Sequence, residues 1–179
     1  LTVEVRDNTL TRVGQLSGAD LVGAEFVLRH NEVGSWQVRL HSTSAMADFL
    51  RTPGYGLVVR NQSGTILSGP TLAARLEQNE ADPDGTWIIE GADDSVILQE
   101  RLAYPDPAEA DVTAQTAAYD IRTDLAETVL KEYLDENLVN GPTIRKVANL
   151  QVAADLGRGS FVVGSARFTN MQDLFYDLA

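Results

Sequence analysis

The chain has 179 residues, 44% of them apolar, no cysteine, and a formal charge of −12 from 14 Lys and Arg against 26 Asp and Glu. That length and apolar content suit one domain or two small ones with a core of their own, and exclude wholesale disorder. The acidity argues against a nucleic-acid backbone or an anionic membrane surface as partner, the missing cysteine excludes disulfides and thiolate metal sites, and no apolar run reaches the roughly 18 residues of a membrane span.

Thr2-Val3-Glu4-Val5-Arg6 alternates and predicts a first strand, and residues 7–20 follow as a long loop or short hairpin. Residues 24–29 and 35–41 read as a β-hairpin, with Trp36, Val38 and Leu40 on one face of its second arm and Gln37, Arg39 and His41 on the other. Residues 44–51 fit a short helix closed by Pro53 and Gly54. Two turns carry Asn or Asp first and Gly fourth: Asn61-Gln62-Ser63-Gly64, between strands at 57–60 and 65–68, and Asp82-Pro83-Asp84-Gly85. Residues 71–79 use helix-favouring types in a period-two pattern, with Leu72, Ala74 and Leu76 on one side and Arg75, Glu77 and Asn79 on the other. The tight turn after them tips the reading to strand. Gly69-Pro70 predicts a bend or bulge just before it.

A strand at 86–90 places Trp87 in the core and ends at Gly91, the expected strand-to-helix turn. Residues 93–102 then read as a short helix, with Asp93 as cap, Asp94 at the positive end and Arg101 at the negative end. Tyr104-Pro105-Asp106-Pro107 stops it, and residues 108–118 form a connector. Residues 124–138 make the strongest helix, with Asp124 and Glu127 as a capping box and an apolar stripe of Ala126, Val129, Leu130, Tyr133, Leu134 and Leu138. Asn140-Gly141-Pro142 ends it. Residues 147–154 and 161–168 read as two strands around Asp155-Leu156-Gly157-Arg158-Gly159. A last helix opens at Thr169 or Asn170 and stops mid-pattern. With Leu1 in place of Met, the chain reads as a piece of a longer protein.

Chemistry is sparse. His30 and His41 lie near opposite ends of one hairpin, poor geometry for a shared metal. Asp93-Asp94 is explained by helix capping, and Glu80, Asp82 and Asp84 lack the spacing of a calcium loop. Gly157-Arg158-Gly159 lacks the Gly-Lys-Ser/Thr of a phosphate loop and fits a hairpin turn. Trp36 and Trp87 sit in alternating strands, where core packing is the default. No catalytic, cofactor or metal residue is assigned and no enzyme is expected. The positions singled out are structural: Gly69, Trp87, Gly91, Asp93, Arg101 and Pro105.

The run Leu67-Ser68-Gly69-Pro70, Trp87-Ile88-Ile89-Glu90-Gly91-Ala92-Asp93-Asp94 and Leu98-Gln99-Glu100-Arg101-Leu102-Ala103-Tyr104-Pro105 resembles bacteriophage tail hub proteins. The later stretch Ala118-Tyr119-Asp120-Ile121-Arg122-Thr123, with Ala166-Arg167-Phe168-Thr169-Asn170, is similar to the minor tail proteins of siphophages and prophages of actinobacteria. The resemblance implies an α+β fold: an antiparallel β-barrel-like hub domain at 1–107 and an α/β insertion (helix, β-hairpin, helix) at 108–179, truncated at the C-terminus. It implies a virion protein of the tail tip, in a ring, usually a trimer, with neighbours such as distal tail, tape-measure and tail-tip proteins. A cell-wall hydrolase fragment and a carbohydrate-binding receptor module are the alternatives; the latter needs exposed Trp36 and Trp87 rings.

Overall fold

The computed structural model describes residues 1–80 and 82–179. The chain divides into two compact units, Leu1–Val96 and Ile97–Ala179; the sequence reading placed the division at 107/108.

The first unit holds β1 (Thr2–Arg6), β2 (Arg12–Gln15), β3 (Leu21–Val27), β4 (Ser35–His41), helix α1 (Ala45–Leu50), β5 (Gly56–Asn61), β6 (Gly64–Asn79) and β7 (Asp82–Ala92). They form one antiparallel seven-stranded sheet in the order β2-β1-β5-β6-β7-β4-β3. A barrel closes only when its terminal strands pair. Here β2 and β3 do not pair, so the sheet is open. Ser44 caps α1, its Oγ accepting the Met46 amide at 3.2 Å. The helix packs on both β1 and β7. One core therefore takes Val3, Val5, Leu57 and Val59 from one half of the sheet and Val38, Leu40 and Ile89 from the other.

Strand β6 joins the halves. Its residues 64–70 pair with β5 and its residues 71–79 with β7. The strand reading of 71–79 holds, and Gly69-Pro70 falls at the handover from one partner to the other. Both faces of this stretch lie open: residues 72–79 are all exposed, Leu72 by 60% and Leu76 by 40%. The second turn is also displaced. Asn79 pairs with Asp82, and Asn79 Oδ1 accepts the Asp82 amide at 2.9 Å, so the chain reverses before the Asp-Pro-Asp-Gly tetrad. Pro83, Asp84 and Gly85 form a bulge opposite Gln78. Asp82 Oδ1 still accepts the Gly85 amide at 3.0 Å, with Gly85 at φ 86°. The local chemistry is the expected one, spent on a bulge.

After the short helix α2 (Val96–Gln99), the second unit holds β8 (Leu102–Ala103), β9 (Asp120–Leu125), α3 (Ala126–Leu134), β10 (Phe161–Ala166), β11 (Thr169–Asn170) and α4 (Met171–Leu178). The helix expected over 93–102 shrinks to α2, because Leu102 and Ala103 pair with β11. Helix α3 continues as a π turn, Asp135–Val139. Val129, Tyr133 and Leu138 from this stripe meet Met171 and Leu174 of α4 in a second core. The expected hairpin of 147–154 with 161–168 does not form. Residues 147–154 are irregular, and β10 pairs with β9, from Leu125 opposite Phe161 to Asp120 opposite Ala166. β10 is also seated against α3, for a Cβ on Gly164 would come within 2.8 Å of the Tyr133 ring.

Candidate functional site

Four of the singled-out residues lie in the first unit. A Cβ on Gly69 would stand 1.7 Å from the Ala92 carbonyl oxygen and 2.6 Å from Asp93 Cα. A Cβ on Gly91 would stand 2.2 Å from Trp36 Cε2 and 2.3 Å from the Pro70 carbonyl oxygen. Both glycines therefore permit close approach of backbone and ring, and Gly91 lies inside β7 rather than at a strand-to-helix turn. Trp36 is buried, and its Nε1 donates to the Ala92 carbonyl at 3.0 Å. Asp93 does open α2, its Oδ1 accepting the Ser95 amide at 2.9 Å, while its Oδ2 accepts the Gly34 amide at 2.6 Å. Asp94, expected to serve the helix dipole, instead pairs with the buried Arg6 at 2.5 Å. Trp87 is half-buried against the core with the Arg51 guanidinium 4.0 Å from its ring centroid. Neither tryptophan offers the open ring that sugar stacking requires.

Arg101 and Pro105 lie in the second unit. Arg101 falls beyond the end of α2, and its carbonyl accepts the Met171 amide at 2.9 Å. Pro105 is buried beside Tyr104, whose amide donates to Oδ1 of the fully buried Asn137 at 3.0 Å and whose ring carries the Arg145 guanidinium at 3.9 Å.

Two charge clusters of the second unit escaped the sequence reading. Asp124 ends up in β9, and Leu125 precedes α3 without a side-chain cap. The first helical amides go to the 157–160 loop: Ala126 donates to the Ser160 carbonyl at 2.9 Å and Glu127 to that of Arg158 at 3.1 Å. Glu127 returns the contact, accepting Arg158 Nε at 2.9 Å and Lys131 Nζ at 2.6 Å. These bonds, Arg158 first and Lys131 second, hold the Glu127 carboxyl well below the usual carboxylate range. Such a group stabilises the fold above its unfolded pKa of about 4.3, and the contribution is lost as pH falls through the depressed folded value. Glu127→Gln should thus be less stable than the parent near neutrality, with the gap closing progressively below about pH 4 in urea titrations. A gap that stays constant down to pH 2 would refute the clamp.

The second cluster centres on Arg122, paired with Asp120 at 2.8 Å and Glu136 at 2.6 Å and lying 4.7 Å from the Tyr133 ring centroid. Burial alone would lower its pKa, but the bonds to Glu136 and Asp120 outweigh it. Burial likewise pushes the Tyr133 hydroxyl up to about 12, and that hydroxyl donates to the Asp120 carbonyl at 2.9 Å.

The surface that remains open is a strand edge. Beyond Pro70, β6 has β7 on one side and no strand on the other among the described residues. Among the described residues β3 likewise pairs with β4 alone. Unpaired edges of this length are templates for a further strand. On the sheet between them, Glu25, Gln37, Leu72, Ala73 and Glu90 line a shallow groove of about 360 Å³.

No curated protein matches the chain. Among solved structures it is similar to the prophage tail protein gp18 from Listeria monocytogenes EGD-e, at a TM-score of 0.54 and 12% identity, over 99% of this chain and 45% of that one. The likeness is one of fold, and the chain spans less than half the length of that tail protein. The family model described as Siphovirus ReqiPepy6 Gp37-like protein matches residues 2–179, and the chain belongs to this family of siphovirus tail proteins.

Proposed function

We propose that the chain is a structural component of a siphophage tail tip or baseplate hub, placed in a ring, usually a trimer, around the tail axis. The open edge of β6 carries the reading: residues 73–77 are exposed and pair in register with β7 on one side, with no strand on the other among the described residues. A strand in that state is completed by a neighbouring chain. The open sheet of the first unit then corresponds to a barrel-like hub domain whose closure comes from neighbours, and the second unit to the inserted α/β domain. Distal tail, tape-measure and tail-tip proteins are the expected contacts along the axis. The net charge of −12 suits a lumen through which DNA passes, since like charges repel the phosphates. Native mass spectrometry of the chain tests this: a discrete closed oligomer is expected, and a monomer at every concentration overturns it.

A further inference from the structure

We infer that two copies of this chain pack their second units face to face about a two-fold axis, the outer face of the two-stranded β9–β10 sheet of one against the same face of the other. The contact lies apart from the β6 edge and goes beyond the ring proposed above.

Three observations carry it. The first is an inverted pattern. In an antiparallel sheet covered on one face, apolar side chains point to the core and polar ones to water. Val162, Gly164 and Ala166 of β10 share the face toward α3: Val162 and Ala166 join the second core, and Gly164 lies against Tyr133. Opposite them on β9 stand Asp124, Arg122 and Asp120, so the charges of the sheet lie on the helix side. The outer face holds Ile121, Thr123 and Leu125 of β9 beside Ser165, Val163 and Phe161 of β10. Ile121, Val163 and Phe161 are 64%, 64% and 68% exposed. A sheet face of this composition is buried against a further layer.

The second is size. Tyr119, two residues ahead of Ile121, is 55% exposed, and Leu156 is 68% exposed. Leu156 precedes Gly157, whose Cβ would meet Leu125 Cδ1 at 3.4 Å, so its loop borders the same face. With Ile121, Val163 and Phe161 these side chains leave on the order of 100 Å² each in water, about 500 Å² per copy. A patch of that size on a monomer marks a contact site. Doubled, it reaches about 1,000 Å², the lower bound for specific association.

The third is charge, and it selects a second copy as the occupant. A two-fold contact sets a patch against itself, so a charge at its centre would meet its own equivalent. The chain carries −12, which keeps copies apart elsewhere on the surface. None of the six outward positions of β9 and β10 is charged. Packed about 10 Å apart, the two sheets form the inner layers of a helix-sheet-sheet-helix stack.

The test is native mass of the parent chain, of Phe161→Asp combined with Val163→Asp, and of an Ile144→Asp control. The double variant puts carboxylates in the middle of the contact; both positions are exposed, so the melting temperature should hold. Ile121→Asp, on the neighbouring strand, serves if the double variant fails to fold. Ile144 is 80% exposed and lies outside this sheet. The double variant is expected at half the parent mass: a dimer falls to a monomer or, where the ring also forms, a pair of rings to a single ring. The control is expected at the full mass. A parent oligomer whose mass the face variants leave unchanged overturns this inference, hands the face to a different protein, and leaves the ring reading standing. A control that also halves overturns it as well. A parent that is monomeric at every concentration overturns both.

Discussion

Gly69→Ala is expected to lower the melting temperature of the chain by about 6–12 °C, the counterpart of a loss of about 3 kcal/mol at this size. The added methyl would stand 1.7 Å from the Ala92 carbonyl oxygen and 2.6 Å from Asp93 Cα. Both are backbone atoms, so no rotamer change relieves the clash. Relief requires β6 to move off the end of β7 where β6 passes from β5 to β7. That movement would strain the neighbouring bond from the Asp94 amide to the Ser68 carbonyl, 2.7 Å long. Gly18→Ala is the control, since a Cβ there meets nothing within 4 Å. Thermal melts of the two variants decide the matter: equal midpoints would mean that the corner is not packed as described.

Tyr133→Ala should cost about 3–5 kcal/mol, the range for truncating a buried aromatic. The side chain is fully buried, and it is the point where α3, β9 and β10 meet. Its ring lies against Gly164, its hydroxyl donates to the Asp120 carbonyl, and the Arg122 guanidinium lies over its face. Tyr133→Phe keeps the ring and removes only the hydroxyl bond, so about 1 kcal/mol is expected. Urea unfolding of both variants separates the contributions. If the two lose equal stability, the hydroxyl rather than the packed ring holds the strand to the helix.

The features read correctly from sequence are those decided within a few residues. Alternation along Thr2–Arg6 and Ser35–His41 places Val3 and Val5, and Trp36, Val38 and Leu40, in the core. Asp93 opens α2 and Asn170 caps α4, because a short oxygen-bearing side chain reaches the next free amides wherever the helix is packed. Asn61 Oδ1 accepts the Ser63 amide at 2.8 Å and sets the β5–β6 hairpin. The order of these pieces is also what made the tail-protein resemblance legible.

Other features needed partners far away in sequence. β10 could pair with any strand its alternation allowed; it pairs with β9, which ends 36 residues before β10 begins, and packs Gly164 against Tyr133. Glu127 looked like half of a capping box with Asp124, yet its carboxylate went to Arg158, 31 residues away. Gly69 and Gly91 looked like bend and turn residues, and their need for a bare Cα arises only from the backbone and ring pressed against them.

The amino-acid sequence by itself determined the alternating strands at 2–6 and 35–41, the Asn170 cap, the β5–β6 hairpin and the apolar stripe of α3, because each follows from periodicity or from competition among adjacent hydrogen-bonding groups. Only the tertiary structure decided which strands pair, where β6 passes between partners, and which edges stay open. Those choices depend on closing long loops against specific packed surfaces, and no local pattern encodes that.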